Sequence, residues 1–159
     1  MKIILADLTD APIIHNIMMQ AYEEYRKETP PSSALDETIS SIEKSLKENE
    51  QAFLYYHDYS AVGTVRFQIH KEQLYFSRLA VLPSYRGQKI ASSLIQALEK
   101  YAKEQKIPYI LCKVRMEVKR NIKLYQSRGF HISETEMLPK PNGISIPVAT
   151  MLKKLQNQK

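Results

Sequence analysis

Between residues 51 and 114 the chain changes its hydrophobic period twice. Stretches 52–56, 63–70 and 74–81 are rich in β-branched and aromatic residues and are separated by short polar links at 58–60 and 70–73. Together they predict an antiparallel meander. The period then lengthens: Ile90, Leu94, Ala97, Leu98 and Tyr101 recur at helical spacing. Lys106-Ile107-Pro108 closes that helix, and 109–114 is again a short apolar strand. A strand, a helix and a strand in this order leave few topologies. The strands at 74–81 and 109–114 should lie parallel, joined by a right-handed crossover.

The flanks extend the same plan. A first strand is expected at 2–6. Thr9-Asp10-Ala11-Pro12 reads as a helix start, with Asp10 capping free N–H groups and Pro12 in the first turn. Ile14, Ile17, Met18, Ala21 and Tyr25 follow at helical spacing, and Pro30-Pro31-Ser32-Ser33 breaks the helix. A second helix carries Leu35, Ile39, Ile42 and Leu46 on one face. Val118, Ile122 and Tyr125 mark a fourth, with Gly129 placed for its C-terminal cap. Stretches 130–137 and 144–152 read as a last strand pair, linked through Pro139-Lys140-Pro141-Asn142-Gly143. Pro147 is expected to bulge the last strand or to place it at an edge. The order β-α-α-β-β-β-α-β-α-β-β predicts an α/β fold: a mixed, mostly antiparallel sheet with helices on both faces. At 159 residues the chain is read as one domain, 1–159, able to bury its own core.

Composition removes several classes. No apolar run approaches a membrane span, and the apolar stretch after Met1 is too short for a signal peptide. A cytoplasmic protein without membrane attachment is expected. Cys112 is the sole cysteine, which excludes an internal disulfide, and His15, His57, His70 and His131 show no metal-ligand spacing, so no metal is expected. Charge is segregated. Residues 1–50 hold 5 basic and 10 acidic residues, net −5, whereas 51–159 hold 18 basic and 7 acidic, net +11. The basic part suits an anionic ligand and the acidic part a cationic one; solvated helix faces would account for most single charges.

The sharpest motif is Leu79-Ala80-Val81-Leu82-Pro83-Ser84-Tyr85-Arg86-Gly87-Gln88-Lys89-Ile90-Ala91-Ser92, a strand running through a short loop into a helix. The first N–H groups of a helix have no internal partner, and the helix dipole is positive there, so such an end binds phosphate readily. Gly87 lets the backbone curl, Ala91 leaves room at the first turn, and Arg86 and Lys89 add charge. An ordinary strand-to-helix turn with solvated cations would read the same way.

This segment resembles the acetyl-CoA signature of the GNAT superfamily of N-acetyltransferases: Arg or Gln, two residues, Gly, one residue, then Gly or Ala. Arg86 and Ala91 match its ends, and Lys89 stands where the central Gly is usual. A second element agrees. Asn121, Tyr125, Gly129 and Phe130 match an Asn, a Tyr four residues on and a Gly-Phe pair that the family often carries. The element order matches over essentially the whole chain.

The resemblance implies a GNAT fold with a splayed parallel strand pair, and acetyl transfer from acetyl-CoA to a primary amine of a small molecule or peptide in a ternary complex. Leu79, Ala80 and Val81 would offer a backbone N–H to the thioester oxygen and pair with the pantetheine arm. Arg86, Gly87, Gln88, Lys89, Ile90, Ala91 and Ser92 would surround the pyrophosphate. Asn121 would hold pantetheine or orient its helix. Tyr125 would protonate the leaving thiolate, or merely orient the sulfur by a hydrogen bond. The base is open among Glu72, Tyr75, Glu134 and ordered water, and Cys112 reads as core packing. The family places the acceptor under the first two helices, where Tyr22, Glu23, Glu24, Tyr25, Glu28 and Pro30-Pro31 suit an ammonium, unless they form only an acidic solvated face. Tyr22, Tyr25 and Tyr75 are the substrate-binding candidates. Arg66 and Arg78 could each bind a substrate carboxylate. A homodimer is expected by family habit alone. Two rivals stand beside this reading, a basic nucleic-acid-binding module and a non-catalytic acyl-CoA-binding regulatory domain; the absence of a helix-turn-helix or RNP-type signature argues against nucleic acid.

Overall fold

The computed structural model describes residues 1–27, 31–141 and 143–156. Alternation of apolar residues builds seven strands: β1 (Lys2–Leu5), β2 (Gln51–His57), β3 (Ser60–His70), β4 (Gln73–Val81), β5 (Tyr109–Arg115), β6 (His131–Pro139) and β7 (Ser145–Lys154). They form one sheet in the order β1-β2-β3-β4-β5-β7-β6. All neighbours are antiparallel except β4 and β5. Helical spacing gives α1 (Ala11–Tyr22), α2 (Ile39–Lys47), α3 (Ile90–Glu104) and α4 (Lys119–Ser127).

Because strand side chains alternate, the sheet has two apolar faces and two cores. Ala52 and Leu54 of β2 join Ile14, Ile17 and Met18 of α1 and Ile42 of α2. Phe53 and Tyr55 point the other way and join Leu94, Ile95 and Leu98 of α3 and Tyr125 of α4. Helices on both faces of a mixed sheet are the expected architecture. No helix among the described residues is long and apolar enough to cross a membrane.

Three local expectations are corrected. Asp10 does not cap α1 with its side chain. Its carboxylate turns back to accept the Asp7 N–H at 2.9 Å, closing a capping box around a 3-10 turn at Leu8–Asp10. Tyr25 lies beyond α1, in a second 3-10 turn at Glu23–Tyr25. Pro147 neither bulges β7 nor sets it at an edge: β7 lies between β5 and β6, the edge is β6, and the register shift falls between Ile132 and Glu134. The reason is geometric. The Pro147 carbonyl, which accepts the Met116 N–H at 3.0 Å, faces the β5 side just past the last β5 pair at Arg115–Val148. The missing proline N–H falls on that same side, so the β6 ladder loses nothing.

Gly129 ends α4 as its position implied. Its φ is 92°, the Gly129 N–H donates to Gln126 and the Phe130 N–H to Tyr125, both at 3.0 Å. This double bond pattern is the Schellman motif. A Cβ here would also meet Lys153 Cε at 3.2 Å. Gly129→Ala is expected to lower unfolding free energy by about 1–2 kcal/mol, read as a shifted urea midpoint with an unchanged m-value.

The sheet is divided at its one parallel junction. β4 and β5 pair only through Gln73–Tyr109, Leu74–Ile110 and Tyr75–Leu111, although β4 runs on to Val81 and β5 to Arg115. On its other side β4 shifts register against β3 between Thr64–Ala80 and Arg66–Ser77, so one residue of β3, Val65, faces two of β4, Arg78 and Leu79. Arg78, in that extra length, has a φ of 55°. Such bulges bend a strand and raise its twist. Here the bend coincides with the parting from β5.

Candidate active site

A cleft of about 650 Å³ fills the opening between β4 and β5. Its walls include Tyr75, Leu79, Ala80 and Val81 on and beside β4, Ala91 at the start of α3, and Asn121 and Tyr125 on α4. The end of α1 supplies Tyr22 and Tyr25, and Arg86 comes from the loop before α3. Gly87, Gln88, Lys89 and Ser92 border this region without lining it, and the Ile90 side chain is buried in the α3 core.

These loop residues present backbone instead. Among the described residues, no N–H from 87 to 92 donates to a protein acceptor; the first bond entering α3 is Ser93 N–H to Lys89 O, at 3.0 Å. These are six successive unpaired donors at a helix N-terminus, where the dipole is positive. Gly87 has a φ of 80°, and a Cβ there would meet nothing within 4 Å, so conformation alone favours glycine. Lys89 has φ 62° and ψ 23°, a left-handed conformation that a glycine would adopt without strain.

Tyr125 is buried edge-on against Phe76, ring centres 5.7 Å apart, and packs on Phe130. Burial holds its phenol well above the usual tyrosine pKa. Burial also raises Tyr22, whose hydroxyl donates to the Leu79 carbonyl at 2.9 Å, and Tyr75. Cys112 lines the cleft as a buried thiol that burial pushes up, which suits packing and not nucleophilic attack.

The acidic end of α1 is not left open to a cation. Glu24 pairs with Arg86 at 2.9 Å and with Arg120, while Arg120 also lies over the Tyr25 ring, 5.5 Å from its centre. Burial opposes ionisation of Glu24, but hydrogen bonds from Arg120 and Arg86 prevail and hold its carboxyl below the usual range. Arg86 further donates to the Ala21 carbonyl at 3.0 Å, so its guanidinium fastens α1 to the α3 loop. Glu23 is taken by Arg26 at 2.9 Å and does not line the cleft. Glu28 and Pro30 lie outside the described residues.

Across the cleft, Arg66 is buried at 3% exposure between two carboxylates. It donates to both oxygens of Glu37 at 2.7 Å and pairs with Glu50. Arg78 Nε donates to Glu37 at 2.9 Å, and its Nη2 to Ser33 at 3.3 Å. Burial lifts the Glu50 carboxyl above the usual range despite Arg66. Arg66 is therefore spent on the protein, whereas Arg78 keeps one guanidinium nitrogen unengaged.

Of the candidate bases, Tyr75 lines the cleft, but Glu72 sits in the β3–β4 turn and Glu134 on exposed β6, and neither lines it. Glu37, Glu50, Lys113, Arg115, Arg120 and Lys140 line it and were not singled out from sequence. The strand alternation of Lys113 and Arg115, two apart, signals a shared face. Nothing local marks Glu37 or Glu50, because each meets Arg66 only through the fold.

Residues 13–130 match the family model described as the acetyltransferase (GNAT) family. A search of curated proteins finds no match. Among solved structures, the ribosomal-protein-S18-alanine N-acetyltransferase of Escherichia coli superposes with a TM-score of 0.78 at 17% identity, over 99% of this chain and 97% of that one. The PaiA N-acetyltransferase of Thermoplasma acidophilum, in complex with coenzyme A, gives 0.76 at 19% identity, over 97% and 99%. An aminoglycoside 6'-N-acetyltransferase complexed with coenzyme A gives 0.73 at 16% identity, over 100% and 99%. These similarities establish a shared fold, and the family match spans the parted strands, the loop before α3 and α4 alike: the chain belongs to the acetyltransferase (GNAT) family.

Proposed function

We propose that the cleft binds acetyl-CoA and that the protein transfers its acetyl group directly to a primary amine of a small molecule or peptide bound beside it. The observation that carries this is the pairing of two unfilled backbone surfaces. Among the described residues, the β5-facing edge of β4 beyond Tyr75 lacks a neighbour, and six N–H groups at the α3 N-terminus lack acceptors. An extended amide-bearing arm ending in a pyrophosphate fits both, the arm as an added strand and the phosphates on the N–H groups. Coenzyme A in the complexes of the two relatives above supports the same ligand.

In this reading residues 86–92 hold the pyrophosphate mainly through N–H groups, with Ala91 leaving space. Lys89 contributes its N–H from the left-handed conformation and its ammonium from outside. An N–H at Leu79, Ala80 or Val81 takes up charge on the thioester oxygen, while Tyr22 fixes the Leu79 peptide by holding its carbonyl. Asn121 faces the arm. Acetyl-CoA supplies the thioester: the amine nitrogen bonds to its carbonyl carbon, the C–S bond breaks, and the thiolate takes a proton. Tyr125 is the donor, since burial keeps its phenol protonated at neutral pH. Tyr75 and ordered water are the routes for the amine proton.

Thermal unfolding tests the binding step, with ATP as the anion control. Acetyl-CoA at about 100 times its Kd should stabilise the fold by roughly 2.7 kcal/mol, and ATP by little. Thiol release with an amine panel then separates an enzyme from a non-catalytic binder. No stabilisation at saturating acetyl-CoA would overturn the proposal.

A further inference from the structure

We infer that the acceptor amine carries an anionic group, a carboxylate or phosphate, a few bonds from its nitrogen. This rests on the acetyl-transfer reading and names its substrate class. It departs from the cationic acceptor that the acidic first third of the sequence suggests.

The argument is a charge count within the cleft. Among the described residues, seven cationic side chains line it against three carboxylates, Glu24, Glu37 and Glu50. Each carboxylate is already paired, Glu24 with Arg86 and Arg120, and the other two with Arg66 and Arg78. Among the described residues, no carboxylate of the wall is therefore left to receive an ammonium. The cations are not equally spent. On the side formed by β4, β5 and the β6–β7 turn stand Arg78, Lys113, Arg115 and Lys140. Lys113 pairs with Glu136 at 2.9 Å, and Arg115 lies 3.7 Å from Glu117 and donates to the Pro31 carbonyl at 3.1 Å. Among the described residues, the Lys140 ammonium has no acceptor, and neither has the second terminal nitrogen of Arg78.

Geometry and charge agree on where the anion would sit. Burial, then repulsion from Arg115 and Arg78 on the same side of the cleft, depress the Lys140 amine below the ordinary lysine value. An anion placed between Lys140 and Arg78 removes that repulsion and fills both idle donors. Lys140 and Ser33 line the same cleft.

The test is a set of matched pairs, in the presence of CoA so that no turnover is needed: 4-aminobutanoate against its amide, phosphoethanolamine against ethanolamine, and the dipeptide Ala-Gly against its C-terminal amide. Titration calorimetry should show at least one member with the anionic group binding about tenfold or more tighter than the partner that lacks it, weakening as salt rises. The preference should collapse in Lys140→Gln and persist in Lys140→Arg. Which pair responds tells a carboxylate from a phosphate, and a small molecule from a peptide. Equal binding within every pair, binding by none, or a preference untouched by Lys140→Gln would overturn the inference. CoA-induced thermal stabilisation, measured on the same samples, separates this from failure of the donor site: if it persists, only the acceptor assignment falls.

Discussion

Tyr125→Phe should cut kcat for acetyl transfer by about 100-fold or more, with little change in stabilisation by acetyl-CoA. General acid catalysis contributes roughly 10²–10⁴-fold, and this substitution removes only the hydroxyl. The ring and its contacts with Phe76 and Phe130 remain, so the helix and cleft should keep their shape. The pH profile supplies an independent check. Burial raises the Tyr125 pKa, so its proton is present throughout neutral and mildly alkaline conditions. Wild-type kcat should then show no falling limb from this group between pH 7 and 9. A falling limb in that range that vanished in Tyr125→Phe would contradict the assignment. So would a variant with full turnover, which would reduce Tyr125 to a wall of the cleft.

The largest expected loss of stability follows Arg66→Met. Arg66 is the buried cation between Glu37 and Glu50, and its removal leaves two carboxylates partly desolvated and facing each other. Breaking a buried pair in this way typically costs about 3–5 kcal/mol. For a domain of this size that is a fall in Tm of roughly 10 °C. Two controls tie the loss to charge. Adding Glu37→Gln and Glu50→Gln to Arg66→Met should recover much of it. Acidification should also help the single variant. Burial already sets the folded Glu50 pKa above its unfolded value, and without Arg66 it rises further. A carboxyl raised on folding stabilises the fold at pH below its unfolded pKa and loses that contribution as pH climbs through the folded value. The variant should thus lie closest to wild type in acid and fall furthest behind at pH 8. Equal deficits at pH 5 and pH 8 would point to packing and not to charge.

That network also marks how far a sequence carries. Periodicity reports which way side chains face, so the order of strands and helices, the α3 face and the Gly129 cap could be read locally. The parting of β4 from β5 could be expected only through resemblance, and its length depends on register between distant strands. Arg66, Glu37 and Glu50 are brought together across one helix and two strands, α2, β2 and β3, and no local pattern announces them. Lys89 shows the same limit in one residue: its side chain suggests charge, while its φ of 62° reveals a backbone role. Asp10 and Pro147 were misplaced for related reasons. A cap depends on which N–H is nearest, and a proline's cost depends on whether a neighbour strand has already ended.

The parted sheet bears on how such a protein can change over generations. A free strand edge and a row of N–H groups belong to the backbone, so a side chain can change there while the donor stays; Lys89, in a left-handed conformation, is one example. The opposite wall, with Arg78, Lys140 and the Arg66 network, is made of side chains. One half of the cleft is inherited as shape and the other is written in replaceable letters. On the proposed reading, a lineage could therefore exchange its acceptor by a few substitutions in that wall while leaving the donor half as it was.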